Sequence, residues 1–153
     1  MSVGVVVDES NEAALFRRLN LVVMPVWAAM IVAPRSSLTA QVVRWSDGLL
    51  AGLAAAYVAQ LGLAVATSGE KPDFGDVAAL RQSLSTPGGF LTGWTHFLAF
   101  DLFVGRWIWR TALDEGRSSR IALVLTLMAG PAGLGVFALQ RRSLSPASRP
   151  GVS

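Results

Sequence analysis

The chain has 153 residues, of which 52% are hydrophobic and 15% charged, with 13 basic and 10 acidic side chains; a soluble domain carries about 25% charged residues. Residues 19–33, 48–66, 89–109 and 121–139 hold only two of those charges, Asp101 and Arg106. Hydrocarbon imposes such segregation, because a charge at mid-bilayer costs about 2.5–3.5 kcal/mol, and an ordinary soluble domain is excluded.

Further classes fall away on single counts. With no cysteine there is no disulfide, Fe–S cluster or thiolate zinc site. One histidine excludes multi-histidine metal and haem sites, so no metal and no cofactor is expected. No basic run exceeds two residues, and Arg17-Arg18 and Arg141-Arg142 both flank apolar segments. There arginine anchors a helix end at the headgroups, so nucleic acid is not an expected partner.

Residues 1–12 read as a polar N-terminal segment whose Asp8, Glu9 and Glu12 argue against a signal or transit peptide. A first span is expected over 13–33, kinked at Pro25, with Arg17 and Arg18 snorkelling to the near interface. A stop at Ala33-Pro34-Arg35 and a polar link containing Arg44 and Asp47 lead to a second span over 47–66. That span is rich in Ala and Gly, which lets helix backbones approach closely in lipid, so a central position is expected for it.

In the long connection over 67–88, Phe74, Val77, Leu80 and Leu84 recur at spacings of three and four. Such spacing predicts a short amphipathic interfacial helix. A third span follows over 88–109 and a fourth over 121–139, the latter broken at Gly130-Pro131. Residues 143–153 read as a disordered polar tail. The expected fold is therefore all-α: an integral membrane bundle of four transmembrane helices over residues 13–142, with both termini on one side, weakly favoured as the inside by the basic residues.

The third span carries what chemistry there is. Asp101 is the only acid and His96 the only histidine in any span. A carboxyl in a dry slot is a candidate general acid, with His96 as its proton-relaying partner; equally, both side chains can be hydrogen-bonded packing groups. His96, Phe100, Phe103 and Trp107, spaced 4, 3 and 4, form an aromatic stripe. That stripe either packs on neighbouring helices or offers a slot to a flat apolar ligand. Trp94 lies two turns from Asp101 on the same face. Arg106 lies roughly 140° round the helix from Asp101 and must find its partner elsewhere: Asn20, Tyr57, a headgroup or a second subunit. Candidate catalytic residues are thus Asp101 and His96, and candidate ligand-binding residues Trp94, Phe100, Phe103, Arg106 and Trp107.

Trp94-x-His96-x-Leu98-Ala99-Phe100-Asp101-Leu102-Phe103-x-Gly105-Arg106-Trp107-Ile108 resembles the signature of the ABA4-like family, named for a plant abscisic acid-deficient protein. Leu15-Phe16, Asn20, Pro25-x-Trp27, Ala33-Pro34-Arg35, Asp73-Phe74 and Gly130-Pro131-x-Gly133-Leu134 are similar to the family's pattern as well. The resemblance implies a four-helix integral membrane protein. Its plant members are needed to form neoxanthin from violaxanthin, a carotenoid isomerisation. By this resemblance the chain is either an isomerase of a carotenoid or other isoprenoid lipid, or a non-catalytic protein that binds a polyene or scaffolds pathway enzymes. The bilayer is the expected partner, a homo-oligomer is compatible, and a bacterial inner membrane is the expected location.

Overall fold

The computed structural model describes residues 9–68 and 75–143, which form six helices and no strand. Four sets of expectations lie outside the described residues: those for 1–8, for Glu70, Lys71 and Asp73, for Phe74, and for the tail over 144–153. The helices are α1 (Glu9–Val32), α2 (Ser37–Ser68), α3 (Val77–Leu84), α4 (Pro87–Asp114), α5 (Arg120–Ala129) and α6 (Pro131–Ser143). Two helices are long and apolar enough to cross a membrane, over Asn11–Val32 and Ser37–Ala66. α4 is as long, but His96 and Asp101 dilute its hydropathy, while α5 and α6 are each too short.

α1 ends where expected and continues through Pro25. The chain turns at Pro34, and the corner is pinned from three sides. The Thr39 hydroxyl donates to the carbonyls of Ala29 and Ala33, at 3.1 and 2.7 Å. The Trp109 indole donates to the Pro34 carbonyl at 2.9 Å. Arg120 donates to the carbonyls of Ile31 and Val32, at 3.1 and 3.2 Å, so a cation caps the last, otherwise unpaired carbonyls of α1. With its corner held, α2 starts at Ser37, and the link expected to contain Arg44 and Asp47 is already helix. The amphipathic helix of the long connection is present as α3, where the Asp76 carboxylate accepts from the Ala78 N–H at 2.8 Å.

The centre of the bundle belongs to α4, which touches every other helix. This corrects the central place expected for the small-residue helix. In α2, Thr39, Val43, Ser46 and Leu53 are buried, and Gly48, Gly52 and Gly62 face open space. Where smallness is used is on α4: a Cβ on Gly105 would collide with the Trp27 ring, which packs directly on the α4 backbone. The buried core runs from Val23, Trp27 and Met30 of α1 through Leu102 and Ile108 of α4 to Leu123 and Phe137.

The largest departure is the last segment. Residues 121–139 do not form one rod: α5 and α6 fold back on each other as an antiparallel hairpin. Gly133 lies so close to Ala122 and Thr126 that a Cβ there would overlap their backbone. At the open end of the hairpin Arg117 donates to the Gln140 carbonyl at 2.9 Å, and Arg141 pairs with Glu115 at 2.7 Å. The reason is local. Gly130 takes φ 37° and ψ −92°, Pro131 has no N–H to continue the ladder, and the chain reverses. Both ends of the hairpin therefore lie at the corner end of the bundle, opposite the start of α1. The four-span arrangement is not confirmed: two helices are long and apolar enough to cross a membrane, and among the described residues the start of α1 and the end of α6 lie at opposite ends of the bundle.

Closing the hairpin requires Gly133 and makes no demand on Gly135, around which nothing lies within 4 Å. Gly133→Ala is expected to cost about 1–3 kcal/mol by overpacking, read as a lower unfolding temperature in detergent, whereas Gly135→Ala leaves it unchanged. A kinked single rod would make the two substitutions equivalent.

Candidate functional site

α4 presents two distinct faces to its surroundings, and the candidate residues are divided between them. Asp101 points at the hairpin tip. Its Oδ1 would lie 2.7 Å from a Cβ on Gly130, whose φ of 37° already disfavours a side chain at that position. Gly130 itself is buried there, while its neighbours Ala129, Pro131 and Ala132 are exposed.

His96 faces elsewhere. Its ring stacks on Phe100 with centroids 4.5 Å apart and lies 5.5 Å from the Tyr57 ring of α2. Five residues separate His96 from Asp101, a rotation of roughly 140° about the helix, and among the described residues no hydrogen bond or ion pair joins them. The two candidates for acid–base work are thus not brought together.

The aromatic stripe runs along the His96 side. Phe100 is 59% exposed and Phe103 60%, so neither is packed into the core. Trp107, at 41%, also meets Phe137 of α6 edge-on, with centroids 5.5 Å apart. α2 flanks the stripe at its His96 end and α6 at its Trp107 end. Trp94 does not belong to this surface. Its indole donates to the Asn20 side chain at 3.3 Å and its ring packs against Phe16 and Phe90, which ties α4 to α1. Nearby, Gln60 of α2 and Thr95 share a hydrogen bond of 3.4–3.5 Å.

Arg106 finds a partner that sequence reasoning did not name. It forms an ion pair and hydrogen bond with Asp47 of α2, rather than with Asn20 or Tyr57. The guanidinium side is 11% exposed and the carboxylate side 73%, and the buried Nε of Arg106 has no hydrogen-bond partner. Asp47 was legible as a charge just before the apolar run of α2. Only the antiparallel pairing of α2 with α4 puts it level with Arg106. No group of three or more His, Cys, Asp or Glu side chains able to hold a metal occurs among the described residues.

An all-helical bundle with two helices long and apolar enough to cross a membrane, and with large apolar side chains turned outward, points to a helical membrane protein. A family model for ABA DEFICIENT 4-like proteins (ABA4-like) matches residues 14–137, most of the chain, and the protein belongs to this family. No curated protein and no solved structure matches it.

The Asp47–Arg106 pair is asymmetric, and so are the expected consequences of breaking it. Asp47→Asn leaves a buried guanidinium without its counter-charge, whereas Arg106→Gln leaves only an exposed carboxylate, which water or headgroups solvate. Unfolding temperatures in detergent should therefore fall further for Asp47→Asn than for Arg106→Gln. The reverse order would contradict the observed burial.

Proposed function

We propose that this protein is a multi-pass membrane protein whose lipid-facing α4 stripe binds a long, flat isoprenoid of the carotenoid class. The observation that carries the reading is the exposure of Phe100 and Phe103 beside His96 and Trp107. In a membrane, that face meets acyl chains or a ligand that displaces them. From His96 to Trp107 the stripe covers about 16 Å of helix at 1.5 Å per residue. Its rings can stack along a polyene, each contact adding about 0.5–1.5 kcal/mol beyond area burial. Lipid competes for the same apolar surface, so selectivity rests on polar ends. His96 and Tyr57 supply hydrogen-bonding groups at one end of the stripe.

Isomerase chemistry is not part of this proposal. Opening an epoxide to an allene requires a proton donor and a proton acceptor at one substrate. His96 lies on the stripe, and Asp101 faces the hairpin. The geometry gives Asp101 a bracing position against Gly130.

In this reading α1, α2 and α4 span the bilayer of a bacterial inner membrane, and the α5–α6 hairpin enters and leaves from one side. Among the described residues, the corner end carries Arg35, Arg44, Arg110, Arg117, Arg120, Arg141 and Arg142, and the opposite end Arg17, Arg18 and Arg81. The positive-inside rule then places the corner in the cytoplasm. The natural chain has no cysteine, so single Ser83→Cys, Ser118→Cys and Ser143→Cys variants can be labelled cleanly. Ser118→Cys and Ser143→Cys should share the cytoplasmic side, with Ser83→Cys opposite. Ser83→Cys and Ser143→Cys on one side would restore the four-span arrangement.

Ligand binding is tested by purifying the protein from carotenoid-producing cells and measuring bound pigment. Phe100→Ala and Phe103→Ala should each lower the pigment-to-protein ratio several-fold, while Phe16→Ala, away from the stripe, leaves it unchanged. Background-level pigment in the unaltered protein would overturn the reading.

A further inference from the structure

Above the Asp47–Arg106 pair, towards the corner, α2 and α4 diverge around a groove of about 400 Å³ lined by Ala40, Val43, Arg44, Trp109, Arg110, Leu113 and Asp114. Ala40, Trp109 and Leu113 also line a second groove, of about 370 Å³, that extends towards Pro34 and Arg35. The floor is apolar, because Val43 and Trp109 are buried there. The two walls each carry an exposed arginine, Arg44 on α2 and Arg110 on α4.

Among the described residues neither guanidinium forms a side-chain hydrogen bond or ion pair, although the charge of Arg110 also acts on the Asp47 carboxylate. Arg106 already pairs with Asp47, and no ion pair joins Arg44 or Arg110 to Asp114, the one acid in the groove. Two exposed guanidinium groups, neither held in an ion pair, flank an apolar floor and fit a phosphate, which they can hold by charge-assisted hydrogen bonds. Asp114 adds a second requirement. It repels a doubly charged anion and offers a carboxylate to a cation attached to the phosphate. Trp45, next to Arg44, is 79% exposed, as tryptophans of the interfacial belt are. The groove therefore sits at the depth of phospholipid headgroups, with its apolar floor available to the glycerol and first acyl methylenes.

We propose that this groove binds an amine-bearing phospholipid, with its phosphodiester between Arg44 and Arg110 and its ammonium at Asp114. This inference rests on the membrane reading above and is independent of the polyene site, since the groove and the Phe100–Phe103 surface are different parts of α4.

The test is native mass spectrometry of the whole protein in detergent, given equimolar phosphatidylethanolamine and phosphatidylglycerol of matched chain length. Phosphatidylethanolamine should be retained preferentially. The double variant Arg44→Gln, Arg110→Gln should retain about tenfold less of it, the equivalent of about 1.4 kcal/mol, while Arg44→Lys, Arg110→Lys keeps most of the retention. Asp114→Asn should abolish the preference between the two lipids without abolishing retention. Equal retention by the unaltered protein and the Gln double variant, at unchanged unfolding temperature, would overturn the site. Preference for phosphatidylglycerol, or an unaltered preference in Asp114→Asn, would overturn the headgroup assignment. Loss of pigment binding at Phe100 and Phe103 moves none of these readouts, so the two proposals fail separately.

Discussion

The reversal at Gly130 is the constraint on which the arrangement of this protein depends. A residue with a side chain would be strained at φ 37° and would strike the Asp101 carboxylate. Because glycine is there, followed by a proline that cannot continue the hydrogen-bond ladder, the last apolar segment becomes two short helices. That fold-back brings Arg117 to the end of α6 and lays Phe137 against Trp107. It also stops the hairpin beside the middle of α4, level with Asp101. The most conspicuous acid of the chain is thereby placed against backbone rather than against histidine.

The corner at Pro34 is the second fixed point, and it shows how the bundle satisfies polar groups. Carbonyls at the end of α1 are met by Arg120 and Thr39, and the Pro34 carbonyl by Trp109. Each partner comes from another element, so the corner joins α1, α2, α4 and α5 at one end. At the other end, among the described residues, Trp94 bonds to Asn20, Gln60 to Thr95, and α3 lies against α4 with no buried side chain. Such a bundle turns apolar side chains outward along α2 and α4. Both proposed ligand surfaces lie on α4, the helix that every other helix touches.

The division of α4 into two faces separates roles that share one sequence motif. Trp94, Asp101 and Gly105 serve helix contacts: to Asn20, to Gly130 and to Trp27. His96, Phe100 and Phe103 remain outside the core. Arg106 belongs to neither group, since it is held by Asp47 at the boundary between α2 and α4. A motif this long therefore mixes residues that fix the bundle with residues that the bundle leaves free.

The helical class, the apolar segments of α1, α2 and α4, the short α3 and the family follow from the amino-acid order alone, because hydrophobic runs and charge segregation are properties of the chain read in order. The acid–base pairing of Asp101 with His96 that the sequence suggested is not brought about, since a five-residue spacing turns a helix by roughly 140°. Direction and pairing emerge only in the folded chain. Gly130-Pro131 reads equally well as a kink or a reversal, and the choice depends on whether Gly133 can close on Ala122 and Thr126. The partner of Arg106 depends on the register of two antiparallel helices. The small residues of α2 promise close packing that no neighbour comes to supply. Such outcomes arise from contacts between residues distant in the chain, and periodicity along one helix carries no information about what stands opposite it.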